Sequence, residues 1–324
     1  MKVLSLSLLL AFTGTAFSMS SPKSELVELG KQLFFDPRLS KDGSISCNSC
    51  HYVMGSGSDG RPGSVGVGGQ IGGRKAPTVW NSQVYSAFFW DGRADSLEAQ
   101  AKGPLINPIE MAMKDHKEVE ERVKKIGYQP IFDKVFKNAK NSVNIDNIAK
   151  AIAEFERTLF VRNSPFDQFL AGKTHAISEK AKRGYALVQS VGCVSCHNGQ
   201  DFAGPQMGTT PFLMKFPTFP DAEIEKTYAI SKDLGRYTVT KNDADKNMWR
   251  VESWRNVVLT APYFHNGSAK TLHEAVRVMA KVQLNRVLKP EETDDIVAFL
   301  ETLTGEFPTV AMPVLPRLKQ ESLF

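Results

Sequence analysis

Cys47-Asn48-Ser49-Cys50-His51 and Cys193-Val194-Ser195-Cys196-His197 decide how this chain is read. Both are C-x-x-C-H runs, and together they use all four cysteines of the 324-residue sequence. The spacing suits covalent haem c. Two thiols three positions apart can each add to a vinyl group on one porphyrin edge. The histidine that follows can then give an imidazole nitrogen to the iron. Two other readings compete: a four-cysteine zinc site and a redox disulfide. Neither needs a histidine directly after the second cysteine. A chain with only six histidines places one there twice, which favours haem.

The length allows two domains of about 150 residues each. At 42% hydrophobic and 23% charged residues the composition is globular. The formal charge of +5 would be largely offset by haem propionates, so it points to neither a nucleic-acid nor a membrane partner. Residues 1–18 read as a secretory signal: Lys2, a mostly apolar run over 3–17, and small residues Ala16 and Ser18 before a cut at Met19. A membrane anchor is the competing reading, but the run is short of about 20 residues and holds Thr13, Gly14 and Thr15. Export to the periplasm agrees with haem c, whose thioether bonds form outside the inner membrane. No later stretch is apolar enough to span a bilayer.

Helical patterning is expected over 24–35, 117–126, 148–160, 178–189, 271–281 and 291–303. Ser96 with Gln100 opens a short helix, and Pro104 and Pro108 are expected to break the chain around Glu110. Thr271 with Glu274 forms a capping box. The glycine-rich stretch 54–73 has no regular element and is expected to wrap the first haem. No strand is readable. The expected class is therefore mainly α, as two cytochrome c-like domains each around one covalently bound haem c. The division is a signal peptide (1–18), an N-terminal haem domain (19–165), a C-terminal haem domain (166–307) and a proline-containing tail (308–324).

Four further stretches carry a resemblance: 33–40 (LFFDPRLS), 89–93 (FWDGR), 107–111 (NPIEM) and 261–267 (APYFHNG). With both haem motifs in register over roughly 24–307, the chain resembles the bacterial dihaem cytochrome c peroxidases. The wider family includes MauG-type enzymes, which oxidise a protein substrate. The resemblance implies roles. His51 would be the proximal ligand of a peroxide-reducing haem, and His197 that of an electron-accepting haem with Met279 opposite. Trp90 would be the relay between them, though in other proteins such a residue is more often a core aromatic. Glu110 would be the acid–base and Gln100 an amide orienting hydrogen peroxide. His265 would lie near a propionate. Electrons would come from a small donor such as a cytochrome c or cupredoxin, and a homodimer is common in the family. A pure electron-transfer cytochrome is the reading from a different class.

Two departures from the family pattern matter. Many members have a histidine in the glycine-rich loop that caps the first iron until the other haem is reduced. Val67 occupies that slot here, with Gly68 the nearest alternative, and no histidine lies between His51 and His116. The first haem is expected to be open without reductive activation. Met54 is a substitute ligand only awkwardly, being close behind His51. The family also often binds calcium through two carbonyls, matching Thr260 and Pro262, and an asparagine, whose slot is Lys75. An ammonium repels a cation, so calcium is set against this residue.

Overall fold

In a computed structural model of the protein, residues 24–137, 139–204 and 212–318 are described. The expected signal segment and the last six residues of the tail lie outside them. Twelve α-helices occur among the described residues. The first half holds α1 (Ser24–Phe35), α2 (Cys47–Cys50), α3 (Leu97–Ile106), α4 (His116–Lys125), α5 (Gln129–Val135) and α6 (Ile145–Thr158). The second holds α7 (Pro165–Leu170), α8 (Glu179–Ser190), α9 (Ala222–Tyr228), α10 (Tyr237–Thr240), α11 (Leu272–Leu284) and α12 (Pro290–Glu301).

Each half is built on one helix crossing, α1 against α6 and α8 against α12. Glycine permits both approaches. A Cβ on Gly30 would lie 1.8 Å from the Ala151 carbonyl oxygen, and one on Gly184 would lie 1.9 Å from that of Asp295. One apolar core runs from Leu29 to Val161 and another from Phe166 to Leu303. Ser164 caps α7 through a capping box and Pro165 starts it, so Phe166 belongs to the second core.

Four expectations need correction. A two-stranded antiparallel sheet exists, β1 (Leu213–Lys215) with β2 (Met248–Arg250). Three-residue strands are too short to show alternation. Pro104 does not break the chain but sits inside α3. The expected helix over 117–126 begins at His116, capped by Asp115. The tail, which carries no pattern, straps the first half. Phe307, just before it, meets Trp80 edge-on at 5.0 Å; from the tail side, the Val314 carbonyl accepts from Gln32 Nε2 and that of Pro316 from Arg38 Nη1, both at 3.0 Å.

The halves also repeat in detail. Residues 74–104 run parallel to 249–279 without a gap. Asn81 and Asn256 both take positive φ (60° and 59°), as do Phe89 and Phe264 (61° and 69°) and Gly92 and Gly267 (65° and 62°). The bridges Phe88–Ala94 and Tyr263–Ala269 close matching loops. Ser96 and Thr271 then cap α3 and α11.

Candidate haem centres

The first haem motif forms α2 between Ser46 and His51, packed on α1. The second motif follows α8 through Gly192, whose φ of 102° suits glycine. Both histidines are held the same way. His51 Nδ1 donates to the Pro77 carbonyl at 3.0 Å, and His197 Nδ1 donates to those of Phe202 and Glu252 at 3.1 Å. Pro77 and Glu252 are partners in the internal repeat. A carbonyl only accepts, so Nδ1 carries the proton and Nε2 keeps its lone pair for a metal. Burial lowers both imidazoles' pKa, His197 to about 4, keeping them neutral. Trp254 stacks on His197 at 4.5 Å.

The cysteines form no disulfide, and among the described residues no three His, Cys, Asp or Glu side chains could hold a metal together. The pairs belong to different cores, so a shared zinc site does not fit. Haem does. Cys193, Cys196, His197 and Met279 line one apolar cavity of about 240 Å³. His265 Nε2 and Arg250 Nε there are buried without a partner, as suits groups that meet a haem edge.

Trp90, His265 and Lys75 border the same cavity. Trp90 Nε1 donates to the Lys75 carbonyl at 2.7 Å. Its ring meets His265 edge-on at 6.3 Å, and His265 stacks on Trp249 at 4.0 Å. Trp90 and His265 hold the same position in the two repeats, so the matched loops meet where the halves join. His265 is 2% exposed, and burial lowers its pKa to about 4. Thr260 and Pro262 also line the cavity.

Glu110 lies beside the first motif. Burial raises its pKa, while Arg93 and an Asn107 hydrogen bond at 2.8 Å pull it back. Two connections hold its loop. Met111 N–H donates to the Pro104 carbonyl at 3.2 Å, tying it to α3. Val67 N–H donates to the Glu110 carbonyl at 2.9 Å, and Gln70 Nε2 to that of Pro108 at 3.0 Å. A Cβ on Gly66 would meet the Ile109 carbonyl oxygen at 1.8 Å. The glycine-rich loop therefore docks on the Glu110 segment. Val67 is 8% exposed, whereas Met54 is 42% exposed and lines a surface recess with Leu259 and Phe307. Gln100 is half-buried on α3, with no side-chain hydrogen bond among the described residues. Trp249, Arg250 and Trp254 also line the cavity of the second motif; they fall in no motif, so nothing in the sequence singles them out.

Residues 24–175 match the di-haem cytochrome c peroxidase family. The cytochrome c551 peroxidase of Nitrosomonas europaea is 44% identical over 92% of this chain and 86% of its own. That of Pseudomonas aeruginosa is 43% identical over 89% and 81%. This chain belongs to the di-haem cytochrome c peroxidase family. As a member it is a haem oxidoreductase of the cytochrome c peroxidase class with two haem c groups. The family's MauG branch is also near: the methylamine utilization protein MauG of Methylorubrum extorquens is 36% identical over 90% of this chain and 82% of that protein. The fold matches a MauG-like protein associated with microbial copper homeostasis, with a TM-score of 0.76 at 27% identity over 88% of this chain and 90% of that one.

Proposed function

We propose that the protein is a periplasmic peroxidase that reduces hydrogen peroxide to two waters with two electrons and two protons, the electrons coming singly from a small redox protein, a cytochrome c or a cupredoxin. The second half, 166–307, accepts electrons and the first, 19–165, hosts the peroxide. The two haems supply the one-electron carriers that a two-electron reduction needs. Cys47 and Cys50, then Cys193 and Cys196, would hold them. His51 and His197 would bind iron through Nε2, and Met279, which lines the cavity of the second motif, would be the other ligand of the second haem. A Met/His pair favours a high potential, as suits the accepting site.

Glu110 handles the proton. Its raised pKa keeps the carboxyl able to take a proton from one peroxide oxygen and return it to the other, so that water leaves. Gln100, on the helix that holds the Glu110 loop, would orient the peroxide through a side-chain amide with no hydrogen-bond partner among the described residues. Trp90 connects the halves through its contact with His265.

The observation that carries an open first site is the internal repeat. Met279 is the eighth residue of α11, and the eighth residue of α3 is Pro104. Proline has no side-chain donor, and Val67 cannot bind iron either. We infer that the first iron is uncapped in the all-ferric protein and needs no reductive activation. EPR tests this: the ferric protein should show a high-spin signal from one haem, and Val67→His should convert it to low spin. Only low-spin signals in the unmodified protein would contradict it. MauG-like oxidation of a partner protein is the second reading, supported by the 36% identity to MauG. Met279 weighs against it, because resemblance to MauG-type enzymes implies a tyrosine, not a methionine, as that ligand of the second haem.

A further inference from the structure

The internal repeat pairs Lys75 with Arg250. Their backbones make mirrored contacts across the join: Lys75 N–H donates to the His265 carbonyl at 2.8 Å, and Arg250 N–H donates to that of Trp90 at 2.9 Å. Both side chains are buried, at 4% and 7% exposure, and both line the cavity of the second haem motif. Their partners differ. Arg250 pairs with the Glu252 carboxylate and lies over the Tyr85 ring at 3.7 Å. Lys75 Nζ has only neutral acceptors, Ser58 Oγ at 2.8 Å and the Ala76 carbonyl at 3.2 Å. No carboxylate of the described residues reaches it for an ion pair. An ammonium has three N–H donors, and the third is unused.

A buried charge without a counter-ion is costly. Burial lowers the Lys75 pKa to about 8, with Asp59 and Glu252 acting only from a distance. A haem filling the cavity would bring carboxylates within the reach of a lysine that has no other counter-ion among the described residues. We propose that the Lys75 ammonium binds a carboxylate of the second haem and takes the place of a divalent cation between the two haems. The donor set does not fit calcium. The Thr260 and Pro262 carbonyls remain, but the third position is a lysine, whose ammonium repels a cation.

The inference rests on the family's two haems, not on the peroxidase reading, and a protein with no peroxide turnover would still report it. Holoprotein with two haems per chain, counted as the pyridine haemochrome, would be chelator-treated and desalted. Calcium would be measured by atomic emission, and both midpoint potentials by spectroelectrochemistry. The proposal expects sub-stoichiometric calcium and no change of spectrum or Tm with chelator or added calcium. Lys75→Met should shift the second haem to lower potential, because a positive charge near a haem favours its reduced form, and Lys75→Arg should keep the original value. Stoichiometric calcium whose removal alters the spectrum overturns the proposal. So does a haem-loaded Lys75→Met with unchanged potentials. Should that variant fail to assemble, the calcium measurement on the unmodified protein still decides.

Discussion

At the residue scale the attachment motifs were fully legible, because C-x-x-C-H encodes its chemistry within five positions. Glu110 was legible only through resemblance. Its environment is made by Val67, Asn107 and the end of α3, which approach from separate stretches of chain. We expect Glu110→Gln to lower peroxide turnover by about 10²–10⁴-fold with haem content unchanged, as read by steady-state kinetics. Because burial raises the Glu110 pKa, the acid limb of the pH–rate profile should lie above the ordinary carboxylate range and vanish in the variant. An acid limb at the ordinary position would mean that another group moves the proton.

Glu156 on α6 makes a different prediction. It is buried, and its pKa is pushed up to about 8, mainly by burial, against Arg157 and with help from Glu98. Its folded pKa exceeds its unfolded one, so the native state holds more protons between about pH 4.5 and 8. Stability should therefore fall as pH rises through that window, by at most about 1.4 kcal/mol per pH unit. Denaturant titrations should show a flatter dependence for Glu156→Gln. An unchanged slope would place the carboxyl in contact with water.

At the scale of elements, long amphipathic helices were readable because their apolar positions repeat with the helical turn. The shorter elements were not. The β1 and β2 strands have three residues each, and they pair across a long intervening stretch of the second half. Pro104 misled for a physical reason. It cannot donate to the Gln100 carbonyl, yet only two helical residues follow it in α3, so the cost of a break is small there. Glycine at the helix crossings gives a stability test. Gly184→Ala puts a methyl group into the Asp295 carbonyl, and we expect a loss of about 1–3 kcal/mol or more in chemical denaturation. A neutral result would show that α8 and α12 can separate freely. On α11, Met279→His should lower the potential of the second haem. An unchanged potential would remove Met279 from the ligand set.

For the whole molecule, the recurrence of the haem motif suggested two related halves but not how they face each other. The structure supplies that relation: matched loops carrying Trp90 and His265 meet, Lys75 N–H donates to the His265 carbonyl and Arg250 N–H to that of Trp90, and Arg74 joins the halves by binding Asp91 and Asp233 at 2.5 and 2.6 Å. The asymmetry is chemical. One half presents Met279 where the other presents Pro104, Gln100 and the Glu110 loop. On the proposed reading, one copy would gain an iron ligand while the other would gain space and an acid. The most direct test is peroxide turnover with a reduced cytochrome c donor, comparing all-ferric enzyme with enzyme prereduced by one electron. The account predicts immediate activity from the all-ferric form. A lag that prereduction abolishes would contradict it.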